Sequence, residues 1–343
     1  MAHDKGKATI YDVASKAGVA ISTVSRVLND SSDVSDPTRM RVMRAIEELQ
    51  FRPDRTAKTL AQKQTRSLCI ALPSFTTPFH NEFLKGVRSR LRELDFDLLL
   101  CDLGSTAPRQ TLLSFLKRGT VDGLLLAGMP ISDDLAAELK ALHAPVVLVG
   151  HEWAEYDGFV WDDETGARLA TEHLLELGHR RIGHIKSFSE SPLESGRMRG
   201  YRSALEAAGV AYDDALVQSG STEKHAGFSE EAGYEAMQKL LERAPDVTAV
   251  FASSDVQAIG ALMAAREAGR RVPWTLSVVG YDDVKMSRYI GLTSVDQKIH
   301  DVGAHAADAL LARVMGGRNE PPRTTTIVPE LRVRASTAPP ADA

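Results

Sequence analysis

The sequence predicts an α/β protein: a small, purely helical unit at the start, then a much larger body of two similar lobes, each a parallel sheet flanked by helices. Three observations lead there. At 343 residues the chain is too long for one ordinary core and suits two or three domains. Up to Phe51 the apolar residues keep helical spacing. From Ser67 onward short apolar runs alternate with amphipathic helical stretches, the pattern of strands joined by crossover helices, and the alternation runs through twice.

The helical unit opens with TIYDVASKAGVAISTVSRVLN, Thr9 to Asn29, two short helices joined by a tight turn. Thr9 with Asp12 three residues on is a capping-box pair, and Val13, Ala14 and Ala17 give the first helix one apolar face. Gly18 supplies the positive φ that ends it. The second helix begins near Ile21. Its Val24, Val27 and Leu28 point inward, which leaves Ser22, Ser25 and Arg26 outside. A third helix follows, with Ser35 as cap, Pro37 in its first turn, and Met40, Met43, Ile46 and Leu49 at helical spacing. Residues 54–61, DRTAKTLA, are too short to hold a helix unaided in water and read as a linker capped by Asp54.

The charge is split along the chain. Residues 1–66 hold 12 Lys or Arg against 8 Asp or Glu, a balance of +4, whereas the remainder holds 29 against 38, a balance of −9. A basic reader joined to an acidic body is the arrangement expected of a nucleic-acid-binding protein with a separate regulatory part.

The strings YDVASKAGVA, STVSRVLN, VSDPTRMRVMRAIEELQFRPD and RTAKTLA together resemble the headpiece of the LacI/GalR family of bacterial transcription regulators. The resemblance implies a helix-turn-helix headpiece over 1–53 whose second helix enters the DNA major groove, with Ile21, Ser22 and Arg26 at base edges. The residue chemistry is consistent: Arg takes guanine O6 and N7 together, Ser serves either base, and Ile touches a thymine methyl. Thr23 and Ser25 suit phosphates. Where the family usually has Ser or Thr at the second helix cap, this chain has Ala20, so a cap of about 1 kcal/mol is missing. The resemblance makes residues 54–66 a hinge that orders in the minor groove, with Ala57 and Leu60 on one face and Leu60 as the wedge between base pairs. The implied DNA contacts are therefore Thr9, Ile21, Ser22, Thr23, Ser25, Arg26, Ala57 and Leu60.

The same resemblance gives residues 67–343 the fold of periplasmic sugar-binding proteins, with a ligand between two lobes. The lobe nearer the DNA is assigned 67–161 and 293–322, the farther one 162–292 and 323–336. Open parallel sheets bind ligands at the carboxyl ends of their strands. Ser74, Phe75 and Phe79 follow the first apolar run, Ser254 and Asp255 follow VTAVFA, and Asp282 follows LSVVGY. Arg197 in RMRGY and Phe228 before EEAGYEAM match the family's arginine and its ligand-stacking aromatic. Ser254 stands where the family often has Asn. A forked donor, a carboxylate and an aromatic face suit a polyhydroxylated ligand such as a sugar, and a nucleobase uses similar parts.

No phosphate-binding G-x-x-x-x-G-K-[ST] loop, no G-x-G-x-x-G after the first strand and no G-x-S-x-G elbow occurs in the sequence, so a regulator is expected rather than a sugar-processing enzyme. His151, His173, His179 and His184 lack metal-ligand spacing, and neither metal nor cofactor is expected. Cys69 and Cys101 each sit in an apolar run and read as reduced, buried thiols. There is no leader pattern and no run of 18 apolar residues, so a cytoplasmic protein is expected, with no membrane partner. Two-fold symmetry matches a palindromic operator in double-stranded DNA, and the tail ASTAPPADA carries no leucine heptad, so the expected assembly is a homodimer.

Overall fold

The computed structural model describes residues 8–28, 31–51, 65–104, 106–118, 121–187, 192–222, 224–316 and 320–341. The chain forms two compact units, Met1–Thr65 and Arg66–Ala343.

The first unit is three helices: α1 (Ile10–Ala17), α2 (Ile21–Leu28) and α3 (Asp36–Leu49). Thr9 and Asp12 form the capping box, and Gly18 closes α1 at φ 65°. The core is Val13, Ala14, Ala17, Val24, Val27, Val34, Val42 and Ala45, with Ile46 and Leu49 packed against it. Met40 and Met43 lie on this helix as their spacing implies, but are 67% and 47% exposed. The buried stripe of α3 runs through 42, 45, 46 and 49, the i, i+3, i+4, i+7 rows of a helix, and Met40 and Met43 fall outside it.

In the second unit, the first lobe contains β1 (Ser67–Leu72), α4 (Pro78–Leu91), β2 (Asp97–Asp102), α5 (Pro108–Leu116), β3 (Gly123–Ala127), α6 (Asp133–Lys140), β4 (Val146–Val149) and β5 (Asp157–Trp161). The second contains α7 (Asp163–Glu176), β6 (Ile182–Ile185), α8 (Pro192–Ala207), β7 (Val217–Gln218), α9 (Glu230–Arg243), β8 (Ala249–Ala252), α10 (Asp255–Glu267), β9 (Ser277–Asp282), α11 (Lys285–Tyr289) and β10 (Thr293–Asp296). After α12 (Ile299–Val314) come β11 (Thr324–Ile327) and β12 (Glu330–Arg332).

The sheet orders are β11-β5-β4-β3-β1-β2 and β12-β10-β9-β8-β6-β7. Each contains the doubly wound 2-1-3-4-5 order, and the chain adds one late strand to each. β11 runs parallel to β5, whereas β12 runs antiparallel to β10. This corrects the lobe boundaries read from the sequence. Residues 293–296 pair with β9 and belong to the second lobe, and residues 324–327 pair with β5 and belong to the first. The chain therefore passes between lobes at 161–163, 296–299 and 327–330. Ladder pairing decides which lobe each of these strands joins, and it places them differently from the boundaries that the resemblance implied.

α12 returns to the first lobe and lies against α4, where a Cβ at Gly86 would overlap the His300 carbonyl. Cys69 and Cys101 are both buried beneath the first sheet, and burial pushes the Cys69 thiol up to about 12. After β12 the chain lies on the second lobe: Ser336 Oγ donates to the Val278 carbonyl at 2.6 Å and accepts from Thr293 N at 2.8 Å.

Candidate DNA interface and ligand site

In the helical unit, Val24 and Val27 turn inward and fix which side of α2 faces out. Ile21, Ser22, Ser25 and Arg26 are exposed, and Thr23 is half-buried. Ala20 opens α2 through its backbone alone, accepting from Thr23 N at 2.9 Å and Val24 N at 3.2 Å. Thr9 is exposed, and its hydroxyl donates to Asp12 Oδ2 at 2.7 Å within the capping box. Tyr11, off the Val13–Ala14–Ala17 face of α1, is 68% exposed and carries a hydroxyl of the kind that can donate to a phosphate. Ala57 and Leu60 lie outside the described residues.

In the body, Arg197 is the centre of the candidate ligand site. It lies on α8, which presses against α7 because a Cβ at Gly200 would overlap the Glu164 carbonyl. The next residue, Tyr201, is buried and donates to the Ile182 carbonyl at 2.7 Å, locking α8 to β6. The Arg-Gly-Tyr order in RMRGY thus has a packing origin. Arg197 is 5% exposed. Its Nε donates to Asp163 Oδ1 at 3.0 Å, Nη1 donates to the Ser253 carbonyl, and its guanidinium lies 3.9 Å from the Tyr281 ring centre and 6.0 Å from that of Phe228. Burial opposes its charge, but Asp163, Tyr281, Asp282 and Glu194 around it outweigh this and raise its pKa.

Asp282 ends β9 with φ 112°, and Asp283 follows at φ 49°. Two consecutive L residues in this region cost on the order of 1–3 kcal/mol each, a kind of strain that clusters at ligand clamps. Asp282 Oδ1 accepts from Gln297 Nε2 at 2.6 Å. Burial raises the Asp282 pKa well above the carboxylate range despite Arg197 beside it. Asp163 is likewise raised by burial, with Arg197 opposing.

Arg197, Phe228 and Asp282 are thus brought together as expected, and the structure adds Asp163, Tyr281 and Gln297. From the first lobe, Phe79 meets Trp161 edge-on at 5.7 Å, and Trp161 Nε1 donates to the Gln297 carbonyl at 2.8 Å. Phe75 is half-buried against the first-lobe core, and Ser74 Oγ lies 2.9 Å from Thr76 Oγ1. His80, next to Phe79, shares a 2.6 Å hydrogen bond with Thr77.

Two expected ligand groups are withdrawn. Ser254 is 2% exposed and caps α10, bonding Gln257 N and Oε1. Asp255 is fully buried, and its carboxyl accepts from Val284 N, Ser287 Oγ and Ser294 Oγ at 2.8, 2.6 and 2.6 Å. Position after a strand does not separate a side chain that faces the cleft from one that starts the next helix. A separate cavity of about 390 Å³, lined by Asp157, Phe159, His305 and Arg323 among others, shares no residue with this set. Among the described residues, no group of three or more His, Cys, Asp or Glu is placed to hold a metal ion, and no helix is long and apolar enough to cross a membrane.

Residues 9–54 match the bacterial regulatory proteins of the lacI family, and 171–337 match the periplasmic binding protein-like domain. The HTH-type transcriptional regulator DegA of Bacillus subtilis is 36% identical over 97% of this chain and 99% of its own. The chain belongs to the LacI family. This LacI-family member is a DNA-binding transcriptional regulator. It is also similar to the HTH-type transcriptional regulator CelR of Thermobifida fusca, 38% identical over 92% of this chain and 94% of that one. A solved CelR-cellobiose complex superposes with a TM-score of 0.69, 35% identity and coverage of 96% and 100%. The lac repressor dimer bound to operator and the anti-inducer ONPF gives 0.82 at 28% identity, covering 97% and 99%.

Proposed function

We propose that this regulator is a homodimeric, cytoplasmic repressor without catalytic activity. In this reading it recognises a palindromic operator through α2, and its grip on DNA is set by a sugar bound between the lobes. The observation that carries the ligand reading is the buried Arg197, held by Asp163, the Ser253 carbonyl and Tyr281, beside Phe228 and Asp282. Forked N–H groups and a carboxyl satisfy sugar hydroxyls, and an aromatic ring covers the C–H face. The cellobiose-bound and operator-bound relatives support the same assignment.

A ligand does work on DNA only by binding one lobe arrangement better than another. The first lobe follows the DNA-binding unit in sequence, so a change in lobe angle is the ligand's route to the operator.

The test has two arms. Duplexes selected from random DNA by the protein should be palindromic. Cellobiose, other neutral saccharides and purine nucleosides, screened by thermal shift, should give a saccharide that raises the melting temperature and whose effect is lost in Arg197→Gln. A nucleoside as the sole stabiliser would replace the sugar by a purine, and selected sites without symmetry would remove the palindrome.

A further inference from the structure

The charge around Arg197 limits what the site accepts, granted the reading above that a small ligand binds there. The guanidinium is ion-paired to Asp163 at 3.0 Å, and the same Asp163 oxygen accepts from Tyr281 Oη at 3.3 Å. One nitrogen is spent on Asp163 and a second on the Ser253 carbonyl, and Nη2 has no partner among the described residues. Two further carboxyls sit close. Glu194 is 3% exposed and accepts from Ser187 N, Ser187 Oγ and Ser253 Oγ at 3.1, 2.9 and 2.9 Å, with His184 Nε2 at 3.7 Å. Asp282 is 7% exposed and is bonded through Oδ1 to Gln297.

The other cations near these strand ends are largely committed. Arg334 pairs with Asp283 at 2.6 Å and Lys298 with Glu330 at 2.7 Å. Even counting Lys186, which follows β6, Arg197 and Lys186 only match Asp163 and Glu194, and Asp282, pushed towards its neutral form by burial, adds a third carboxyl and no cation.

We infer that the site selects an uncharged polyhydroxylated ligand and rejects sugar phosphates and sugar acids, and that Asp163 is the residue that sets this preference. A free buried Arg would take a phosphate or carboxylate in a bidentate grip. Here Asp163 already pairs with the guanidinium, so an incoming anion must displace it or be buried with no unpaired cation to balance it. A neutral hydroxyl meets no such obstacle: it accepts from Nη2 and bonds Asp282 Oδ2, which is acceptor or donor according to its protonation. Asp163 gains its leverage from its place at the first lobe crossing, directly after Trp161 and Asp162 at the start of α7, packed against α8.

The experiment uses the full chain and matched probes: cellobiose against cellobionate, ribose against ribose 5-phosphate, and glucose against glucose 6-phosphate, by thermal shift and calorimetric titration. The neutral member of a binding pair should be at least tenfold tighter than its anion. An anion that binds as tightly or more tightly overturns the inference. If no member of any pair binds, the sugar reading has failed, and the charge preference is decided by inorganic phosphate. Phosphate should leave the wild type unshifted and stabilise Asp163→Asn, or Asp163→Ser if the first variant does not fold. Equal stabilisation of the wild type, through Lys186 or otherwise, overturns it. A folded Asp163 variant that ignores phosphate removes Asp163 from the role.

Discussion

The indole Nε1 of Trp161 donates to the carbonyl oxygen of Gln297 at 2.8 Å, tying together two of the three places where the chain passes between lobes. Gln297 continues the link, since its side-chain amide holds Asp282 at 2.6 Å, while the Trp161 ring rests against Phe79. Asp162 N donates to the Ile327 carbonyl at 3.0 Å and adds the third crossing. The lobes and their candidate ligand groups therefore share one hydrogen-bonded seam.

Replacing Trp161 by Phe keeps a ring against Phe79 and removes the donor to Gln297. A part-buried hydrogen bond of this kind contributes about 1 kcal/mol. The urea midpoint of the body should fall accordingly at unchanged m-value, and an unchanged midpoint would show that the seam does not hold the lobes.

Asp255 and Asp282 are both buried carboxyls, yet they should behave oppositely. Asp255→Asn disturbs three internal hydrogen bonds and should cost about 1–3 kcal/mol of stability with ligand affinity retained. Asp282→Asn keeps an acceptor for Gln297, so stability should change by less than about 1 kcal/mol, while affinity for the saccharide found by screening drops at least tenfold. The reverse pattern would exchange their roles.

Burial, helped by His225, pushes the His80 pKa from 6.5 down to about 4, with Asp102 opposing. The folded state therefore favours neutral imidazole. The unfolded chain binds the extra proton first as pH falls, so stability present above about 6.5 is lost progressively towards about 4. Urea midpoints measured across that window should fall more steeply for the wild type than for His80→Gln; parallel slopes would remove His80 as the cause.

On the DNA side, Arg26 is exposed on α2 with Ile21 and Ser22. Arg26→Ala should weaken binding to the selected duplex by about 1–3 kcal/mol and relax preference at one base pair. A loss of equal size on every sequence would make Arg26 a phosphate contact.

The sequence exposed those parts of the molecule that local rules govern. The capping box at Thr9, the inward Val24 and Val27, and the strand-helix alternation follow from spacing within a few residues. Arg197, Phe228 and Asp282 were legible through short motifs. Asp163, Gln297 and Trp161 were not, because each acquires its role from a partner on another element, 34 residues away for Asp163, 15 for Gln297 and 136 for Trp161. Ser254 and Asp255 were misread for a related reason: a polar residue after a strand looks the same in sequence whether it faces the cleft or begins a helix. The lobe boundaries slipped because β10 and β11 are fixed by their ladder partners rather than by composition.

The central claim is that occupancy of the Arg197 site and of the DNA site are coupled through the lobes. Linkage makes the coupling reciprocal: the factor by which ligand changes DNA affinity equals the factor by which DNA changes ligand affinity. The decisive measurement is a pair of titrations on the full chain, the selected duplex with and without saturating saccharide, and the saccharide with and without saturating duplex. The account expects the same factor in both, about 5–150-fold, and a factor near one in Arg197→Gln. A saccharide that binds at Arg197 yet leaves duplex affinity unchanged would contradict it.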